Sequence, residues 1–162
     1  GSQELGRRAG TENLPGIAGA GAAATQRHHG INATIERLQQ LRDRFELAVL
    51  AQVQDVFVNG DVANRICNTT NLRFEGVDGE ALVARLDQRG VRCSQSSACT
   101  NQRPEPSYVL RAMGLSESEA YASIRFSVSV LNSDDEIDES AGILAGLVAE
   151  LRRFSIQRAV YE

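Results

Sequence analysis

The apolar residues at positions 30–53 recur at steps of three and four, and this pattern constrains the fold more than any other feature of the chain. Such spacing lines one face of a helix with apolar side chains and leaves charged side chains on the opposite face. A helix of this kind is stable when another layer of structure covers its apolar face. The predicted inward face consists of Ile31, Ile35, Leu38, Leu41, Phe45 and Ala48.

Shorter segments predict the layer that covers this helix. Apolar or β-branched residues are concentrated in four segments, and this predicts short strands. The segments are residues 56–58, 66–74, 91–94 and 123–130. Other segments carry helix caps or clusters of small apolar residues and predict further helices. These are residues 17–28, residues 79–89 after Asp78, residues 107–113, a short helix after Ser116 and a long one after Ser133.

This order of elements predicts an α/β fold of the α+β type. We expect a small sandwich, in which helices cover one face of a mostly antiparallel or mixed sheet. A chain of 162 residues is long enough for one compact domain with an apolar core.

The composition argues against several classes of function. A net charge of −4 does not favour a nucleic-acid partner bound through bulk electrostatics. No apolar run approaches the roughly 20 residues that span a bilayer, and the polar N-terminus does not resemble a signal peptide. Three cysteines without framework spacing indicate a reducing compartment, and with two histidines no zinc site is expected. We therefore expect a cytoplasmic protein without a membrane partner.

The chain contains no lysine, since all 17 of its basic residues are arginine. Arginine is not a nucleophile at physiological pH, whereas the lysine amine bonds carbonyl groups readily. The chain therefore has no side-chain amine for a covalent bond to an aldehyde or ketone.

Cys99 is the first candidate for chemistry. It lies in residues 95–106, which have no periodicity and whose Ser, Asn and Pro content predicts an exposed loop. A cysteine in such a loop can present a thiolate to an electrophile. The alternative is an incidental surface cysteine. Cys67 and Cys93, in predicted strands, are expected to pack as small apolar residues.

Arg125 is the second candidate, because it stands in the middle of the apolar strand segment 123–130. A buried guanidinium without an anionic partner is costly, and a carboxylate is its natural bidentate ligand. The partner is either a ligand or a structural acid such as Asp78 or Glu80.

Thr11 is the third candidate, because it follows a glycine and precedes a predicted helix. The free amides of a helix N-terminus together with a hydroxyl suit an anion, and Arg7 and Arg8 add positive charge. The alternative is plain N-capping, with Pro15 in the first turn.

Four segments of the sequence together resemble the pyridoxal-phosphate-dependent cysteine desulfurases, in the right order and spacing. The resemblance is closest to the nitrogen-fixation and iron–sulfur type, of the class V aminotransferase-like group, and it covers nearly the whole chain. The segments are QELGRRAGTEN (residues 3–13), SACT (97–100), EPSYVLRAMGL (105–115) and SIRFS (123–127).

The resemblance implies a fold, a reaction and a role for each candidate. The chain would be the small C-terminal domain of a fold-type I pyridoxal-phosphate enzyme, with residues 1–29 as an interdomain and dimer-interface segment and residues 30–162 as the domain itself. Cys99 would take sulfur from L-cysteine as a persulfide, leaving alanine, for iron–sulfur cluster assembly or other sulfur delivery. Arg125 would hold the substrate carboxylate, and Thr11 would reach the phosphate of the other subunit's cofactor.

The resemblance also implies partners that these 162 residues do not supply. In the family the cofactor lysine lies in a preceding large domain, so the chain alone is expected to be inactive and to carry no cofactor. Expected partners are that large domain, a second copy of the protein, and sulfur-accepting scaffold or carrier proteins. One alternative is a stand-alone lysine-free homologue that serves as a dimerisation or binding module, or accepts sulfur from another enzyme. Another is a split enzyme whose large domain is a separate chain.

The loop that contains Cys99 differs from the family pattern. Gln95 and Ser96 stand where the family usually has a small residue and a glycine, and Cys93 is an unusual second thiol. These differences predict altered loop flexibility.

Overall fold

The computed structural model of the protein describes residue 1, residues 3–95 and residues 106–160, with residues 155–160 described by their backbone alone. The chain divides into two compact units, residues 1–34 and residues 35–162. After a 3-10 turn at Glu4–Gly6, the described helices and strands follow in this order: α1 (Leu14–Gln52), β1 (Val56–Val58), β2 (Thr69–Phe74), α2 (Gly79–Gln88), α3 (Tyr108–Ala112), α4 (Glu117–Tyr121), β3 (Ser123–Ser127) and α5 (Asp134–Val160).

The helix α1 is continuous, whereas the sequence predicted two helices over 17–28 and 30–53. Gly30 lies inside it, because a glycine in a helix costs only about 1 kcal/mol and leaves the backbone hydrogen bonds intact. Thr11 does not cap this helix. The cap is Asn13, whose Oδ1 accepts a hydrogen bond from the Gly16 amide at 3.1 Å.

The first unit contains the part of α1 that ends at residue 34. Residues 14–33 are all exposed, and this includes Leu14 at 69% and Ile17 at 57%. The small apolar residues of 17–28, which we expected to pack closely against neighbouring backbone, therefore have no cover within the described residues.

The second unit contains a three-stranded antiparallel sheet in the order β1-β2-β3. Side chains alternate along β2, so that Thr70, Leu72 and Phe74 face the core while Thr69, Asn71 and Arg73 face away from it. In β3 the core-facing residues are Ile124 and Phe126. The predicted α/β fold with an antiparallel sheet is confirmed.

The helices α1, α2 and α5 bury their apolar faces on the core side of the sheet. Phe45 of α1 packs on Phe126 with ring centroids 4.9 Å apart. On α1 the predicted inward face is correct from Leu38 onward, whereas Ile31 and Ile35 are about two-fifths exposed. The fully buried side chains of the core include Leu41, Leu72, Phe74, Leu82, Leu86, Ile124 and Leu144.

The strands are shorter than the sequence predicted. The segment 66–74 forms a strand from Thr69 only, and before it the carbonyl oxygen of Ile66 accepts a hydrogen bond from Arg42 of α1. The segment 91–94 contributes a single bridge, between Ser94 and Arg125. The helices predicted after Ser116 and Ser133 are confirmed, and each begins with a capping box, of Ser116 with Glu119 and of Ser133 with Glu136.

Candidate functional site

The side of the sheet that faces away from the core is polar, and it carries Arg125 at its centre. We call this surface the polar sheet face. Its residues on β2 and β3 form three cross-strand pairs, Thr69 with Ser127, Asn71 with Arg125, and Arg73 with Ser123.

Arg125 is paired through its backbone on both sides. Its N–H donates to the carbonyl oxygen of Ser94 at 2.7 Å, and its own carbonyl oxygen accepts from the Ser94 N–H at 3.1 Å. Because both backbone groups of Arg125 point toward Ser94, its pairing with Asn71 is of the non-hydrogen-bonded kind. In such pairs the Cα atoms are only about 4.5 Å apart and the side chains lie closer together.

The side chain of Arg125 is exposed, although its position in an apolar strand suggested a buried guanidinium. The strand alternates, so the neighbours Ile124 and Phe126 point to the core and Arg125 points away. No carboxylate pairs with Arg125 among the described residues, and the carboxylate of Asp78 caps α2 instead. The suggested pairing with Asp78 or Glu80 is therefore wrong. The guanidinium is open to an anionic ligand.

A chain of hydrogen bonds fixes the orientation of Asn71, the cross-strand neighbour of Arg125. The carbonyl oxygen of Glu119 can only accept, so the hydroxyl of Ser123 donates to it at 2.7 Å. The Ser123 oxygen must then accept from the amide Nδ2 of Asn59, at 2.9 Å. The same Nδ2 group also donates to Oδ1 of Asn71, at 2.6 Å.

Arg73 occupies the next outward position on β2 and is held in place from two sides. Its guanidinium pairs with the carboxylate of Glu119 and lies 4.4 Å from the ring centroid of Phe57. Arg73 is thus paired within the domain, whereas the side chain of Arg125 has no carboxylate partner among the residues that the structure describes.

The described part of the chain before Cys99 ends at Gln95, which directly follows Ser94. Gln95, whose identity departs from the family pattern, donates its side-chain amide to the carbonyl oxygen of Tyr121. Cys93 packs against the core as predicted, and its burial together with the charge of Asp87 raises the pKa of its thiol to about 11. Cys67 is half-buried and precedes β2 instead of lying in a strand.

The structure describes two of the three predicted site residues, Arg125 and Thr11. Arg125 lies at the centre of the polar sheet face, and Cys99 lies outside the described residues, together with Ser96. Thr11, in the first unit, has an exposed side chain with no hydrogen-bond partner among the described residues.

The described residues contain no group of three potential metal ligands. Within that part of the chain, no helix combines the length and apolar character needed to cross a bilayer.

The fold of this small sheet and its helices is that of the C-terminal domain of fold-type I pyridoxal-phosphate enzymes. A solved NifS-like protein superposes with a TM-score of 0.76 at 24% identity, over 93% of this chain and 38% of its own. A NifS-like protein from Rickettsia africae superposes with a TM-score of 0.73 at 30% identity, with the same coverage. The first of these likenesses, because of its low identity, bears on the fold alone.

The sequence profile of the aminotransferase class-V family matches residues 2–139, and the chain belongs to that family. Among curated proteins, a cysteine desulfurase of Gluconacetobacter diazotrophicus is 44% identical over 155 residues. The cysteine desulfurase NifS of Azotobacter vinelandii is 41% identical over the same length. The alignments cover 96% of this chain and 39% of each relative, so the chain spans about two-fifths of their length.

Three polar residues that lie beside Arg125 or beside its neighbour Asn71 were not predicted as site residues from the sequence: Asn59, Asn71 and Ser94. The alternation of β2 does place Asn71 on the outward face, which is a usable signal. The position of Asn71 opposite Arg125 depends on the strand register, which a single sequence does not reveal.

Proposed function

We propose that this chain is the C-terminal part of a cysteine desulfurase, in which Arg125 binds the carboxylate of L-cysteine and Cys99 receives its sulfur. The observation that carries the proposal is the exposed Arg125, which no carboxylate of the described residues neutralises, on a face that otherwise consists of hydrogen-bonded polar side chains. A guanidinium in this state favours a carboxylate ligand.

The position of Ser94 supports the assignment of Cys99. Ser94 is bonded to Arg125 through two backbone hydrogen bonds, and it precedes Cys99 by five positions in the chain. The thiolate of Cys99 attacks the sulfur of the bound substrate, so a sulfur–sulfur bond forms while the carbon–sulfur bond breaks. The electron pair of the broken bond remains with the carbon fragment, which takes up a proton and leaves as alanine.

Pyridoxal phosphate, when bound, would supply an electron sink for that pair. The residues present fit the phosphate of this cofactor and not its aldehyde. Thr11 exposes a hydroxyl next to Gly10, and Arg7 and Arg8 are exposed nearby in sequence. The amine that bonds the aldehyde must come from outside residues 1–162, because these contain no lysine.

The same proposal gives the chain three partners: a large cofactor-binding domain, a second copy of the protein, and sulfur-accepting scaffold or carrier proteins. The length of the relatives beyond the matched part supports the first. The exposed apolar residues of α1 support the presence of a further protein surface that covers them; they include Leu14 and Ile17. Sedimentation of the chain as a monomer at every concentration counts against self-association.

The test of the proposed function measures alanine and sulfide production from L-cysteine by the full-length protein that carries this chain. We expect Cys99→Ser to abolish sulfide release, and the wild-type Cys99 peptide to gain the mass of one sulfur atom after brief exposure to substrate. Cys67→Ser is the matched control and should retain activity. Persulfide on Cys67 or Cys93 instead of Cys99, or full activity of Cys99→Ser, would overturn the proposal.

A further inference from the structure

The oxygen of the Asn71 side-chain amide is hydrogen-bonded, whereas its nitrogen has no partner among the residues that the structure describes. Its Oδ1 accepts a hydrogen bond from Nδ2 of Asn59. The hydrogen bonds from Ser123 to the Glu119 carbonyl oxygen and from Asn59 to Ser123 fix the orientation of Asn59, and thereby that of the Asn71 amide. The two hydrogens on Nδ2 of Asn71 have no acceptor among the described residues. Asn71 is only partly buried, so these two donors are available to a ligand.

The free end of this amide belongs to the same surface as the guanidinium of Arg125. The two residues are directly opposite each other in neighbouring strands, and their backbone groups point away from one another, to Asn59 on one side and Ser94 on the other. In this type of pair the side chains stand side by side on one face of the sheet. The polar sheet face therefore presents two neighbouring groups that can only donate hydrogen bonds.

We propose that Asn71 is a second carboxylate-binding residue, whose Nδ2 donates to the substrate carboxylate that Arg125 holds. The inference rests on the proposed function and deepens it by naming how the carboxylate is recognised. A carboxylate offers about four acceptor positions, so one guanidinium leaves some of them unused. Asn59 and Ser123 act as positioning residues, since they keep the oxygen of Asn71 turned away from the anion.

This arrangement provides selectivity for an anionic ligand over a neutral one. The Asn71 oxygen would repel a carboxylate if the amide were reversed, and its bond to Asn59 prevents that. An aspartate at position 71 would have the same shape without a donor, and its own charge would pair with Arg125.

The experiment is a titration of the chain itself, followed by the side-chain resonances of Asn71 and Arg125 in nitrogen–proton correlation spectra. Propionate is the carboxylate probe, propionamide is its neutral counterpart, and the ionic strength is held constant with sodium chloride. We expect the Nδ2 hydrogens of Asn71 and the Nε hydrogen of Arg125 to shift along one saturating curve with propionate. Propionamide should shift neither.

Variants separate the contributions of the two residues. We expect Asn71→Ala to weaken propionate binding about tenfold, the effect of losing one hydrogen bond to a charged group. Asn71→Asp keeps the shape of the side chain and should abolish binding. Thr69→Ala, on the same face and strand, is the control, and its dissociation constant should stay within about twofold of the wild-type value, as for a site without contact to the anion.

The outcomes distinguish this inference from the proposed function. If Arg125→Ala abolishes propionate binding while Asn71→Ala leaves it unchanged, the role of Asn71 is refuted and that of Arg125 stands. If neither resonance shifts, or Arg125→Ala binds as well as wild type, both assignments fail. Equal shifts with propionate and propionamide also overturn the inference, because they show no recognition of charge.

Discussion

Gly79, the first residue of α2, lies so close to the carbonyl oxygen of Tyr121 that a Cβ atom at position 79 would overlap it. The side-chain amide of Gln95 donates to the same oxygen. The carbonyl oxygen of Tyr121 thus contacts α2 and also binds Gln95, the last described residue before Cys99.

We therefore expect Gly79→Ala to destabilise the domain by about 2 kcal/mol, the usual cost of forcing an extra methyl group into a packed site. The control is Gly142→Ala in α5, where an added Cβ meets no atom within 4 Å. That change should stabilise the helix by about 0.5–1 kcal/mol. Urea unfolding of the wild type and the two variants measures both effects. Equal stability of the two variants would contradict the close contact between position 79 and Tyr121.

Glu46 of α1 is buried and forms hydrogen bonds with Arg65 and Thr70. Its carboxylate accepts from Arg65 at 2.7 and 2.8 Å and from the hydroxyl of Thr70 at 2.6 Å. Burial alone would raise the pKa of Glu46, but the hydrogen bonds from Arg65 and Thr70 and the charges of Arg65 and Arg42 outweigh it, so that the pKa lies below the ordinary value of 4.5.

We expect Glu46→Gln to lower the free energy of unfolding by about 2 kcal/mol at neutral pH, because a hydrogen-bonded charge is lost. A lowered folded-state pKa means that the ionised carboxylate stabilises the protein above pH 4.5, and that this contribution is lost as the pH falls through the folded-state value. The difference between wild type and variant should therefore shrink in acid. Glu36→Gln, at an exposed position of α1, should show no such change.

Arg152 forms hydrogen bonds from α5 to the segment before β1 and to the segment after β2. Its guanidinium donates to the carbonyl oxygens of Glu75, Gln54 and Asp55, at 3.0, 2.8 and 3.2 Å. Asp55 has a φ of 48°, a conformation that most residues avoid, and the hydrogen bond to its carbonyl group helps to hold it there.

We expect Arg152→Ala to destabilise the fold by about 1–3 kcal/mol, since three backbone acceptors lose a charged donor. The adjacent Arg153 is exposed and forms no ion pair or side-chain hydrogen bond with the residues that the structure describes. Arg153→Ala should thus change stability by no more than about 0.5 kcal/mol. Thermal unfolding of both variants is the measurement, and similar losses would point to a general charge effect instead.

The thiols should differ in reactivity. Cys93 has a pKa of about 11, so very little of it is thiolate near neutral pH, and its alkylation should be slow and should rise steeply in alkaline buffer. We expect Cys99 to be alkylated first at neutral pH. Peptide mapping after a short treatment with iodoacetamide tests the order, and earlier labelling of Cys93 refutes it.

The chain purified by itself should hold no covalently bound pyridoxal phosphate, because it contains no side-chain amine. After incubation with the cofactor and borohydride reduction, mass spectrometry should find no pyridoxyl group on any side chain. A stoichiometric adduct on an internal peptide contradicts this expectation, whereas labelling of the N-terminal amine does not.

The sequence determined those features that depend on local chemistry. The apolar spacing of α1 from Leu38 onward, the caps at Asp78 and Ser116, and the alternation in β3 are all properties of a few neighbouring residues. The lysine count is likewise independent of structure, and it limits the chemistry that the chain can perform.

Only the tertiary structure decided which way the side chain of Arg125 points. From sequence alone its apolar neighbours suggested a buried ion pair, but the direction of a side chain follows from which face of the strand meets the helices. The pairing of Asn71 with Arg125, and of Arg125 with Ser94, depends on register between segments that are distant in sequence. Register follows from packing one whole face of the sheet against the core, so no local pattern contains it.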